Sequence, residues 1–163
     1  MHAAARALTA LNKALFSLTK WLVYAIAGLM LFEVFSRYSL ENPTSWAPEL
    51  ATLLFGPFFL LGGPYLLHSG GHVAVDILSA RASGRLAVVL KICAALLALL
   101  FGAILLWFSA PLAHQSYTYA ETSYSAWNPV IWPVKAVLPL AALLLMLQAL
   151  AELVFLTPER GAT

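Results

Sequence analysis

The residues best placed to do chemistry are His68, His72 and Asp76, which recur at four-residue intervals in the stretch HSGGHVAVDIL. On one helix that spacing would align two imidazoles and a carboxylate on a single face, as a metal site or a proton relay requires. Gly70 and Gly71 stand between the histidines, and glycine is a poor helix interior and a favoured terminator. A plainer reading therefore prevails. The glycine pair closes a helix, and HVAVDIL then runs along the membrane surface, with Asp76 available as a helix cap and Val73, Ile77 and Leu78 in the interface. A haem would need two axial ligands at one depth, yet His114 ends its apolar run on the side opposite His68 and His72. Nucleophilic catalysis needs a Ser or Cys beside a base and an orienting acid. Cys93 is the only cysteine and has no such neighbour in sequence, and it excludes both an intramolecular disulfide and thiol-pair redox chemistry. The chain reads as no enzyme, with no metal or cofactor site of its own.

Glu33 is the other suspect, because it lies in an apolar run and ionisable groups within a membrane are functional candidates by default. Arg37 follows it by four residues, the favourable orientation for a helix ion pair. Two readings stand: a structural pair or partner contact, and a proton- or ion-linked carboxylate. Gln148 and Glu152 also share a helix face by spacing. Glu152 falls near the end of its run, where it is expected to reach lipid headgroups or a partner.

The elements that must position these groups follow from composition. Of 163 residues, 62% are hydrophobic and 10% charged, with a mean hydropathy of +0.86; soluble domains average roughly 45–50% apolar and about 25% charged. Since a helix needs about 20 apolar residues to cross a bilayer, the runs at 15–36, 50–67, 86–112 and 131–155 predict four transmembrane helices. The expected fold is an all-α integral membrane protein, one four-helix domain over 1–163. Its second helix should be kinked or locally unwound at Gly56-Pro57 and Gly62-Gly63-Pro64. Ala94, Ala98 and Gly102 form a four-residue stripe of small side chains suited to close helix approach. A net charge of +2, scattered along the chain, gives no case for nucleic acid.

Lys and Arg favour the cytoplasmic side. Arg6, Lys13, Lys20, Arg81, Arg85, Lys91 and Arg160 fall on one side of the four runs, against Arg37 and Lys135 on the other, so both termini are expected in the cytoplasm. The first run is too long for a cleaved signal peptide and lacks a cleavage site before ENPTSW, which makes it an uncleaved anchor. Trp46, Trp127 and Trp132 fit an outer aromatic belt. SWAP and AWNP read as a belt Trp followed by a Pro in or near the first helical turn.

RYSLENPTSWAPEL, with Arg37, Trp46 and Glu49, is joined to FLLGGPYLLHSGGHVAVDIL, with Gly62, Gly71, His72 and Asp76. Together they resemble the small membrane subunit of TRAP transporters, the tripartite ATP-independent periplasmic uptake systems. ETSYSAWNPVIWPVKAVLPL, with Ser123, Pro129, Trp132 and Pro139, resembles that family's last outer loop and final helix. The likeness runs from about Phe32 to Gln148. It departs from the family pattern at Ala74 and at His68-Ser69, where basic residues are common, and at Leu140 or Ala141, where a glycine usually follows the proline.

The resemblance implies a multi-pass accessory subunit of the bacterial inner membrane. It would bind a large multi-span transport subunit, while a periplasmic protein captures the substrate and the complex runs a sodium-coupled symport of organic acids such as C4-dicarboxylates. In that picture Arg37, Trp46 and Glu49 set the outer end of the first hairpin, with Glu33 a structural pair or partner contact beside them, Glu121 and Ser123 present polar groups on the second outer loop, and His72 and Asp76, following Gly71, make a structural link at the inner surface. The alternative is a self-sufficient, proton-coupled four-helix exporter acting as a homodimer, with Glu33 as the exchanging carboxylate.

Overall fold

The computed structural model describes residues 2–69 and 85–156. Among the described residues the regular elements are five α-helices: α1 His2–Thr19, α2 Leu22–Ser39, α3 Trp46–His68, α4 Arg85–Thr118 and α5 Trp132–Phe155. Within the described residues four stretches are long and apolar enough to cross a membrane, namely His2–Ser39, Trp46–His68, Arg85–Thr118 and Trp132–Phe155. Gly71, His72 and Asp76 lie outside the described residues.

The first of these stretches holds two helices, and the break falls inside the span expected at 15–36. A continuous helix of 38 residues would be about 57 Å long, nearly twice the roughly 30 Å hydrocarbon core. The interruption at Lys20-Trp21 has a local cause. The Thr19 hydroxyl donates back to the carbonyls of Leu15 (3.0 Å) and Phe16 (3.3 Å), and the Trp21 N–H then bonds Leu18 three residues back rather than four. Such back-bonding loosens and bends a helix. What reads in the sequence as a basic tail is therefore an additional helix, α1.

The membrane-length helices form an open row rather than a closed bundle. α3 touches α2 on one side and α5 on the other, and α5 in turn packs most extensively against α4; among the described residues α2 makes no close backbone approach to α4 or α5, nor α3 to α4. α1 crosses this row obliquely. Phe16 lies on Gly62 of α3 and stacks against Tyr65 at 5.2 Å, whereas His2 reaches Phe155 near the end of α5. α3 stays helical through both Gly-Pro breaks, so no local unwinding occurs there. Its glycines instead give neighbours room, Gly62 to Phe16 and Gly56 to Val134.

The α4–α5 contact follows a different repeat from the one the Ala94-Ala98-Gly102 stripe suggests. Ala95, Gly102, Ser109 and Ser116 are the buried positions of α4, joined by Ala113, whereas Ala94 and Ala98 are only half-buried. A seven-residue repeat keeps one seam facing the partner in a left-handed crossing; a four-residue stripe suits the right-handed kind. Small side chains along that seam bring the backbones close. A Cβ on Gly102 would stand 2.6 Å from Met146 Cγ and 3.2 Å from the Ala142 carbonyl oxygen.

Candidate functional site

Polar groups gather at the two ends of the row. At the end bearing the 40–45 and 119–131 loops, Glu33 is the hub of the first cluster. It is 4% exposed. Arg37 donates to its Oε1 through Nε at 3.0 Å and Nη2 at 2.5 Å. Its Oε2 accepts the Thr44 N–H at 3.0 Å and the Thr44 hydroxyl. Both carboxylate oxygens are thus engaged from within the chain, and α2 is tied to a residue just ahead of α3. The turn between them is held by Ser36, whose hydroxyl donates to the Asn42 carbonyl at 2.5 Å while the Asn42 N–H returns to the Ser36 carbonyl at 3.0 Å. Glu41, at φ 51°, supplies the left-handed residue the reversal needs. Trp46 opens α3 and packs on Phe32 at 5.6 Å.

The longer loop is built on the end of α4. Glu121 N–H bonds the Ser116 carbonyl and Ala120 N–H that of Tyr117, with Ala120 at φ 47°, the two bonds of a Schellman cap whose left-handed position is usually glycine. From there Ile131 N–H reaches the Glu121 carbonyl and Ser123 N–H the Pro129 carbonyl, each at 3.0 Å, around an isolated antiparallel bridge between Thr122 and Val130. Ser125 is the inner hub of the loop. Its hydroxyl accepts from Ser123 (2.8 Å) and from the Asn128 N–H (2.9 Å), and donates to Glu49 on the first turn of α3 at 2.5 Å. The expected residues Glu49 and Ser123 therefore meet through Ser125. Trp127-Pro129 belongs to this loop; the helix starts later, at Trp132, with Pro133 in its first turn. A proline preset for the first turn is present, one Trp-Pro pair further along than AWNP suggests.

Glu121 pairs instead with Lys135 at 2.6 Å, both partly exposed. That ammonium is the main reason its carboxyl sits below the ordinary value of 4.5. A carboxylate favoured in the folded state stabilises the fold above its unfolded pKa, and loses that contribution as pH falls through the lower folded value. The tie between loop and α5 should therefore weaken on acidification below about pH 4.5. Glu121→Gln should remove this component of the pH dependence, as thermal unfolding followed against pH would show.

The opposite end carries a chain of contacts across three helices. Gln148 is fully buried and Asn12 is 1% exposed. Asn12 Nδ2 donates to Gln148 Oε1 at 2.8 Å, and Gln148 Nε2 donates to Thr9 Oγ1 at 3.0 Å and Glu152 Oε1 at 2.8 Å. His68 Nδ1 completes the chain at 2.7 Å from the same Glu152 oxygen. Glu152 thus meets α3 and its own helix rather than projecting away from the chain, because α1 and α3 bring polar groups to its face. Gln148→Leu should cost about 2 kcal/mol, since it strands the Asn12 amide in a buried site; the Thr9 hydroxyl, partly exposed, keeps its bond to the Ala5 carbonyl at 3.0 Å. Asn12→Ala should cost less, because Gln148 keeps its other partners. Thermal unfolding and the rate of proteolysis within α1 would rank the two.

Thr44, Ser125, Lys135, Thr9 and Asn12 are the partners that spacing did not single out. Asn12 carried one readable signal: it lies seven residues from Ala5 and from Thr19, the other buried positions of α1. Between α3 and α4 lies a groove of about 230 Å³, floored by Ala141 and Ala142 of α5 and walled by Phe59, Pro64 and Phe101. It offers no charged or hydrogen-bonding side chain to a polar solute.

No curated protein matches the chain. A family model does: the DctQ component of tripartite ATP-independent periplasmic transporters, over residues 26–158. That match covers α3, α4 and α5 completely, most of α2, and both polar clusters at the loop-bearing end, so the small size, the four membrane-length stretches and the apolar groove belong to a transporter component and not to an enzyme. The chain is a member of the DctQ family, the small membrane subunits of TRAP transporters.

Proposed function

We propose that the chain is the passive brace of its transporter: it holds the large transport subunit in the bilayer while that subunit moves the solute, and it does not itself carry cargo. One observation supports this above others. The carboxylates within the described helices, Glu33, Glu49 and Glu152, are each engaged by side chains of the same chain, and the groove between α3 and α4 is apolar. The groove offers an organic acid no cation or hydrogen-bond donor, and a sodium ion would have to compete with hydrogen bonds already made at each of those carboxylates. Sodium coupling and recognition of organic acids, C4-dicarboxylates among them, then belong to the complex.

The open row favours this role. α2 turns Leu22, Ile26, Leu29, Glu33 and Ser36 toward its neighbours and leaves Tyr24, Gly28, Leu31, Phe35 and Tyr38 on the opposite side. That second series has the three-and-four spacing of a helix-packing seam, and a Cβ on Gly28 would meet nothing within 4 Å. It is the face on which a helix of the large subunit is best accommodated. With both termini in the cytoplasm, the clusters around Glu33, Glu49 and Glu121 face the periplasm of the inner membrane. There they help to dock the periplasmic binding protein.

Co-purification in mild detergent tests the reading. The large subunit should accompany the wild-type chain, and Gly28→Leu, which fills the seam without touching this chain's own core, should reduce its recovery several-fold. Recovery of this chain as a homodimer free of any large membrane protein would favour the self-sufficient exporter instead.

A further inference from the structure

α1 divides its surface into three stripes, each repeating every seventh residue. Ala5, Asn12 and Thr19 are buried against α3 and α5. Arg6, Lys13 and Lys20 come next, about 100° round the helix, and are exposed. On the other flank Ala4, Leu11 and Leu18 are exposed too, Leu11 at 49% and Leu18 at 69%, and Trp21, 63% exposed, follows the last turn. A helix wholly in hydrocarbon would not carry a row of cations, and one wholly in water would not present Leu11, Leu18 and Trp21. A helix lying in the headgroup layer needs both flanks, one toward acyl chains and one toward phosphates.

The packing places α1 where such a layer is. It runs from Phe16, against Gly62 and Tyr65 in the last third of α3, to His2, against Phe155 at the end of α5. Among the described residues neither Lys13 nor Lys20 meets a carboxylate; the Lys20 ammonium stands 5.9 Å from the Trp21 ring centroid. We infer that α1 is a binding surface for anionic phospholipid, its Lys13–Lys20 flank taking the headgroup phosphates while Leu11, Leu18 and Trp21 enter the acyl region beside them. Bound lipid then seals α1 onto the ends of α3 and α5, completing from outside what Asn12 and Gln148 do from inside.

Trp21 is a built-in reporter. The full chain, with Trp46, Trp107, Trp127 and Trp132 replaced by Phe, is reconstituted in phosphatidylcholine vesicles that contain a minor fraction of brominated phosphatidylglycerol or brominated phosphatidylcholine. The anionic lipid should quench Trp21 several-fold more effectively at low salt, and added salt should erode the difference. Lys13→Gln with Lys20→Gln should remove most or all of that several-fold preference, and Lys13→Arg with Lys20→Arg should keep it. Phosphatidylglycerol retained by the unmodified chain through purification, and lost from the double Gln variant, gives the same answer without the Trp replacements. Equal quenching by the two lipids overturns the inference, as does a preference that survives the double Gln change. Absence of quenching by either lipid also overturns it, since a protein partner or a second copy would then cover this face.

Discussion

Glu33→Gln should lower the thermal unfolding midpoint of the purified chain by roughly 5–10 °C, the largest effect of any single polar substitution. The carboxylate receives two hydrogen bonds from Arg37 on one oxygen and two from Thr44 on the other. An amide in its place turns a donor toward one of those sets, so either the guanidinium, whose side chain is half exposed, or the Thr44 N–H loses its acceptor beside a Glu33 side chain that is nearly closed to solvent. Thr44→Val should give a smaller shift, because the backbone N–H bond at 3.0 Å remains. Transport by the whole complex separates this structural account from the alternative: a brace with Glu33→Gln should lose uptake in proportion to lost assembly, with sodium dependence unchanged in what remains. Altered ion coupling at normal assembly would make Glu33 a proton- or ion-linked carboxylate.

Gly102→Leu should separate α4 from α5 and leave little folded protein. Even the first added carbon would stand 2.6 Å from Met146 Cγ and 3.2 Å from a backbone oxygen of Ala142, and overpacking of a fitted interior costs about 1–3 kcal/mol for far smaller intrusions. Gly102→Ala should be milder, since the Met146 side chain is flexible and can turn aside. Gly102→Ala combined with Met146→Ala should recover part of that loss, a coupling readable from unfolding midpoints of the single and double variants. If Gly102→Leu unfolds like wild type, the close α4–α5 seam is wrong.

The long apolar runs made the all-helical, membrane-spanning character legible, because hydrocarbon thickness fixes how many apolar residues a helix needs. α1 was not legible. It carries Arg6 and Lys13 among its alanines and leucines, and the face it buries is built from Ala5, Asn12 and Thr19, while its apolar row of Ala4, Leu11 and Leu18 points away from the other helices, so no apolar stripe marks the face that packs. Asn12 is acceptable inside only because Gln148, 136 positions away, accepts from it. The same holds for Glu152: local spacing paired it with Gln148, but His68 arrives from another helix. Glu33 and Arg37 could be paired from their four-residue spacing, whereas Thr44 could not, since its approach depends on the left-handed turn at Glu41. Glu49 and Ser123 are joined only through Ser125, in a loop whose shape rests on left-handed residues at Ala120, Tyr124 and Asn128. None of these is glycine, the residue that normally signals such a turn.

Purified chain reconstituted alone into proteoliposomes, with a sodium gradient and labelled organic acids supplied outside, puts the central claim to its most direct test. A brace predicts uptake no greater than in protein-free vesicles, with transport restored when the large subunit and binding protein are added. Saturable, gradient-driven accumulation by this chain alone would contradict it.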